Sequence, residues 1–176
     1  AMQPSALQHY WSLAVEEQFY MVWPALIALV TIGGKRVRHK VAIAMGVIVT
    51  LSFLLSATLT SEQPSWSYFG LHTRAWELGL GALLAALATT TARISASTRS
   101  VFAWAGLTGI VVSVLTYGDV INFPGTAAAL PVIATGAALL AGDQLNRGPV
   151  LILGHPVMQW IGARSYSLYL WHWPAL

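Results

Sequence analysis

Cysteine is absent from all 176 residues, which excludes disulfides, thiolate metal sites and a thiol nucleophile, and leaves the redox compartment unread. Charge is scarce as well. Only 9% of the residues are charged, against roughly 25% in an average soluble domain, so the chain has too little polar side chain to cover a water-facing surface. No internal repeat, linker or low-complexity tract interrupts it beyond a richness in Ala, Leu and Thr. Residues 1 to 9 lack the basic and apolar regions of a signal peptide.

What the chain does contain is apolar: 56% of residues are hydrophobic and the mean hydropathy is +0.65. A net charge of +3 and an isoelectric point near 9.5 would suggest nucleic acid in a soluble domain. Here the basic residues sit in short gaps between apolar runs, so they read as topology signals and no nucleic-acid partner is expected. Five apolar runs and the start of a sixth fall at roughly 10–32, 41–60, 73–92, 101–118, 124–142 and 165 to the end. Each full run is close to the ~20 residues that one helical crossing needs. The expected fold is an all-α polytopic transmembrane helix bundle with five full spans and a truncated sixth. It forms one domain over residues 1–176, in the lipid bilayer of the cell (inner or plasma) membrane.

Turn and cap chemistry marks the gaps. Gly33 and Gly34 follow the first run, Pro64 lies in the second gap, Ser97 and Thr98 precede the fourth run, and Pro124 is placed to open the fifth as an N1 proline. Lys35, Arg36, Arg38, Lys40, Arg93, Arg99, Arg147 and Arg164 fall on one side and only Arg74 on the other, eight against one. Since Lys and Arg in short loops are retained in the cytoplasm, the His9 end is extracytoplasmic and Arg164 opens the last run from the cytoplasmic side. Neither end has the features of a natural terminus, which predicts a fragment of a longer domain.

The segment from His9 to Pro24, HYWSLAVEEQFYMVWP, places two adjacent carboxylates at the mouth of an apolar run. On a helix, His9, Ser12 and Glu16 lie three and four residues apart, so a base, a hydroxyl and a carboxylate share one face. Glu16 and Glu17 are site candidates because carboxylates at membrane depth are costly and therefore functional by default. The competing account places both in the outer headgroup layer, where a helix N-terminus favours negative charge. Arg74 and Glu77, three residues apart, form a second constellation that can pair internally, either as part of a site or as mutual neutralisation. His172, in LYLWHWP with Tyr169 one turn earlier, is a candidate for proton transfer or for a hydrogen bond between helices. His9, at the water boundary, has a solvated histidine as its alternative.

Tyr10, Trp11, Trp23, Trp66, Tyr68 and Trp160 cluster near the expected interfaces, as belt anchors do. His39 belongs with the basic gap, and His72 and His155 flank helix starts, where capping or solvation is usual. No His, Asp or Glu set has metal spacing, so no metal is expected.

Four motifs in order, HYWSLAVEEQFYMVWP, TRAWELGLGALLA from Thr73 to Ala85, FPGTAAALPVIATGAALL from Phe123 to Leu140, and ARSYSLYLWHWP from Ala163 to Pro174, resemble the acyltransferase-3 family of membrane O-acyltransferases. The resemblance implies transfer of an acyl group, often acetyl from acyl-CoA (acetyl-CoA), to a hydroxyl of a cell-surface glycan or glycolipid, with no bound cofactor. For that reaction the residues themselves offer Glu16, Arg74, His172 and His9 as catalytic candidates, and Ser12, Trp11, Glu17, Glu77 and Tyr169 as candidates for substrate binding. The resemblance also implies an Arg and a later His on an apolar helix ahead of Ala1, so that residues 1–176 cover the middle and later part of the domain. Two other classes stay open: a proton-coupled transporter or flippase using Glu16, Arg74, Glu77 and His172 as a polar path, and an inactive truncated remnant.

Overall fold

The computed structural model describes residues 11–88, 93–118, 123–141 and 148–172, without the side chains of Trp11, Ser12, Ala14 and Ala141. All regular structure among the described residues is helical: α1 (Trp11–Thr31), α2 (Val37–Glu62), α3 (Pro64–Phe69), α4 (Leu71–Ala86), α5 (Ala96–Thr116), α6 (Ala129–Ala141), α7 (Pro149–Leu153) and α8 (Pro156–His172). The all-α expectation holds. Two helices, α2 and α5, are long and apolar enough to cross a membrane. The third and fifth runs form shorter helices of 16 and 13 residues, and α1, although 21 residues long, carries Glu16, Glu17 and Gln18 within it.

Two helix pairs make the frame. The most extensive contacts join α2 to α4 and α5 to α6; α4 also touches α6, and α1 leans on α2, α3 and α4. Most of the residues at these seams are small or hydroxylated, Met45 and Trp76 being the large exceptions. Along α2 the buried positions are Met45, Ser52, Ser56 and Thr60, spaced by seven, four and four residues on one face. Facing them, α4 buries Thr73, Trp76 and Gly79. Trp76 meets Phe53 edge-on with ring centroids 5.0 Å apart, and the Trp76 backbone N–H donates to Ser52 Oγ at 3.0 Å. The α5/α6 seam is tighter: a Cβ at Gly106 would lie 2.5 Å from the Ala134 carbonyl oxygen, so only glycine lets these backbones meet.

Large aliphatic side chains point the other way. Leu115 is 78% exposed, and Val47, Leu51, Leu54 and Val114 are also on the outside. Burial of hydroxyls with exposure of Leu and Val reverses the pattern of a water-soluble bundle.

Several boundaries differ from those read off the apolar runs. The second gap contains α3, with Pro64 at its first position. Ser97 and Thr98 lie inside the first turn of α5, because Ser95 is the cap: its hydroxyl accepts from the Thr98 N–H at 3.2 Å. Pro124 does not open the fifth helix. It sits in a turn over residues 123–128 after a cis Phe123–Pro124 bond, and α6 starts five residues later. The last helix starts at Pro156 rather than near 165, with His155 Nδ1 accepting from the Val157 N–H at 3.3 Å. Arg164 is therefore a mid-helix residue, its guanidinium 4.4 Å from the Trp160 ring, and not a loop cation. Gly33 and Gly34 do form the turn after α1, with φ of +88° and +64°.

Candidate functional site

The site is built from the first turns of α4. Gly70 ends α3 in an extended conformation and serves as the N-cap of α4, while the Thr73 hydroxyl donates to the carbonyls of Ser67 at 2.6 Å and Gly70 at 2.9 Å. These bonds fix the corner between the two helices. Arg74 and Glu77 then emerge on the same face, one turn apart. Arg74 Nη2 donates to Glu77 Oε2 at 2.9 Å, and Nε approaches both carboxylate oxygens at 3.2 and 3.3 Å. The side chains are 19% and 15% exposed, so the pair is partly removed from solvent.

Beside Glu77 lies an open cavity between α4 and α6, lined in part by Phe123. The Phe123 turn is anchored from a distance. The Gly125 N–H donates to Thr60 Oγ1 at 3.0 Å, the same hydroxyl contacts Ser67 Oγ at 2.6 Å, and it donates to the Ser56 carbonyl at 2.6 Å. Tyr117 adds a hydrogen bond from its hydroxyl to the Ala127 carbonyl. A buried hydroxyl stripe thus ties α2, α3, α4 and the turn before α6 together.

Arg74 and Glu77 are brought together as the spacing predicts. The other site candidates stand elsewhere. On α1, Val15 and Phe19 turn inward, with Glu16 exposed beside that face and Glu17 exposed opposite it. His172 ends α8, a helix with no buried residue that packs on α7. Its Nδ1 lies 2.5 Å from the Tyr169 carbonyl oxygen, and the two rings are 5.4 Å apart. His172 thus lies on a helix that packs on α7, which in turn packs on α5, whereas Arg74 and Glu77 lie on α4. His9 lies outside the described residues, as do the side chains of Trp11 and Ser12. Among the described residues, no group of three His, Asp or Glu is placed to hold a metal ion.

Thr60, Ser67, Thr73 and the cavity wall were missed at the level of sequence. One signal for them exists: Ser52, Ser56 and Thr60 recur every four residues through an otherwise aliphatic helix, as a polar seam does.

Comparison with known families decides what kind of protein this is. The acyltransferase domain family matches residues 2–176, nearly the whole chain. The chain belongs to that family. It is similar to peptidoglycan O-acetyltransferase OatA of Listeria monocytogenes, 29% identical over 189 residues that cover 98% of this chain and 29% of the relative. The O-acetyltransferase OatA of Staphylococcus aureus is 28% identical over 193 residues, covering all of this chain and 30% of the relative. The chain thus spans less than a third of the length of either relative. No solved structure matches it at a significant level.

Proposed function

We propose that this chain works within a membrane-embedded O-acyltransferase that moves an acyl group, acetyl first, from acyl-CoA to a hydroxyl of a cell-surface glycan. Peptidoglycan is the acceptor that the names of the relatives suggest. The observation that carries the reading is the family match over nearly the whole chain. Apolar side chains exposed along α2 and α5, two helices of spanning length, support placement in a bilayer.

The chemistry sets the roles. A base accepts the proton of the sugar hydroxyl, the hydroxyl oxygen attacks the thioester carbonyl, and the oxyanion that forms needs a positive or N–H-bearing partner. Collapse breaks the C–S bond and releases the CoA thiolate, which takes up a proton. Arg74, held in orientation by Glu77, is assigned to the oxyanion or the donor phosphate. Glu16 is assigned to orient the base, and His9 and His172 are the histidines assigned as candidates for that base. Trp11, Ser12, Glu17 and Tyr169 are assigned to substrate contacts around them.

Glu16→Ala and Arg74→Ala in the full-length protein test the assignment through mass spectrometry of muropeptides. Loss of O-acyl groups with normal membrane insertion is the expected result. Wild-type acylation by both variants would refute the roles given to these two residues.

A further inference from the structure

We propose that the cavity between α4 and α6 receives the acyl end of the thioester, with Gly81 setting how much of it fits; the proposal rests on the acyl-transfer reading. The cavity holds about 290 Å³ and is lined by Leu80 and Gly81 of α4, Pro131, Val132 and Leu139 of α6, and Phe123 at its end, with Glu77 and Thr135 as its polar groups. That volume lies at the small end of the ~300–1,000 Å³ typical of ligand pockets.

The chemistry of the lining selects the occupant. Both Glu77 oxygens are engaged by Arg74, and the Thr135 hydroxyl proton goes to the Pro131 carbonyl at 2.8 Å. The groove therefore presents mostly apolar walls, open on the side of Gly81, Thr135 and Leu139, with the Glu77 and Thr135 oxygens as its few acceptors. A sugar ring laid along it would turn most of its hydroxyls toward Leu, Val, Pro and Phe. An aliphatic acyl chain gives up no hydrogen bond on entering. The Arg74–Glu77 pair at the rim stands where the thioester carbonyl would follow the chain.

Glycine determines the space. Gly81 is exposed at the open side of the groove and a Cβ there would meet nothing within 4 Å, so a larger side chain at this position has room to lie across the groove. At Gly136 an added Cβ would come within 3.2 Å of Leu80 Cδ2 and 3.4 Å of Leu84 Cδ1, which closes the far wall. Gly81→Leu fills the pocket without a backbone clash and improves helix propensity, so it is expected to fold. Gly46→Leu is the control, because a Cβ there also meets nothing within 4 Å and Gly46 is on α2.

The test uses the full-length protein in proteoliposomes with a butyryl-CoA analogue that carries a terminal diazirine. Photolabelling is expected on peptides containing Leu80–Leu84 or Pro131–Leu139. It should be competed by acetyl-CoA, reduced at least tenfold by Gly81→Leu, reduced less by Gly81→Ala, and unchanged by Gly46→Leu. In turnover, Gly81→Leu should raise the KM for acetyl-CoA about tenfold and leave the acceptor KM within twofold. Adducts confined to other helices, labelling that acetyl-CoA does not compete, or a rise in the acceptor KM alone would overturn the pocket assignment. Competed labelling at these peptides, with no acyl transfer by the wild-type protein, would instead support the pocket and sink the acyl-transfer reading.

Discussion

Arg74 holds Glu77 through two nitrogens, Nη2 at 2.9 Å from Oε2 and Nε at 3.2 Å from Oε1, one turn apart on α4 and beside the cavity that α4 forms with α6. Each charge is the counter-ion of the other in a setting only partly open to solvent. Removing one takes the compensating charge away from the other.

Glu77→Ala is accordingly expected to lower acyl transfer at least tenfold and to destabilise the full-length protein by about 1–3 kcal/mol, the range for hydrogen bonds to charged groups. Glu77→Gln keeps one acceptor and should fall between Ala and wild type on both measures. Muropeptide analysis and thermal unfolding in detergent read the two effects. Full activity in Glu77→Ala would show that the pair only neutralises charge.

Thr60 connects positions 65 residues apart through the bond from Gly125, and it is 4% exposed. Thr60→Val keeps the shape of the side chain but leaves the Gly125 N–H and the Ser67 hydroxyl without this acceptor, at an expected cost of about 2–3 kcal/mol. Thr60→Ser retains the oxygen and should cost less than about 1 kcal/mol. A thermal shift that is equal for the two variants would show that the hydroxyl is not what anchors the turn.

The α5/α6 seam depends on backbone approach at Gly106, where a Cβ would also lie 2.6 Å from the Ala138 nitrogen. Gly106→Val must separate the helices and is expected to destabilise by about 2–3 kcal/mol, the scale of overpacking. Double electron–electron resonance between spin labels on exposed faces of α5 and α6 should report a longer distance in this variant. An unchanged distance with unchanged stability would contradict the packing described.

Arg36 occupies the left-handed region at φ 53°, ψ 38° as the residue before α2. That conformation costs a non-glycine residue about 1–2 kcal/mol, and Lys40 Nζ closes the same turn on the Ile32 carbonyl at 2.9 Å. Arg36→Gly should therefore stabilise the protein by up to about 1 kcal/mol, measured by thermal unfolding at fixed detergent concentration. Destabilisation would mean that the Arg36 side chain contributes more than its backbone strain removes.

Local chemistry was readable wherever the partners are neighbours along one helix. The Arg74–Glu77 pair follows from a spacing of three residues and the pitch of the helix, and the turn at Gly33 and Gly34 follows from the need for positive φ. Boundaries were less legible where an apolar run hides a turn. Pro124 to Ala128 falls within the fifth apolar run although it holds the turn dipeptide Pro124–Gly125, and the anchoring of Gly125 on Thr60 shows that the chain turns there first. Glu16 and Glu17 could be placed on α1, but not on its exposed side, because that depends on which face Val15 and Phe19 bury.

The amino-acid order alone determined the all-helical class, the absence of thiol chemistry and the ion pair within α4, because helix periodicity and residue chemistry act over a few residues. Tertiary structure decided that a hydroxyl stripe forms the seam, that α8 with His172 packs on α7, and that a groove opens beside Glu77. These depend on which helix faces meet, and that is settled by close approach at glycine and by hydrogen bonds between segments far apart in the chain.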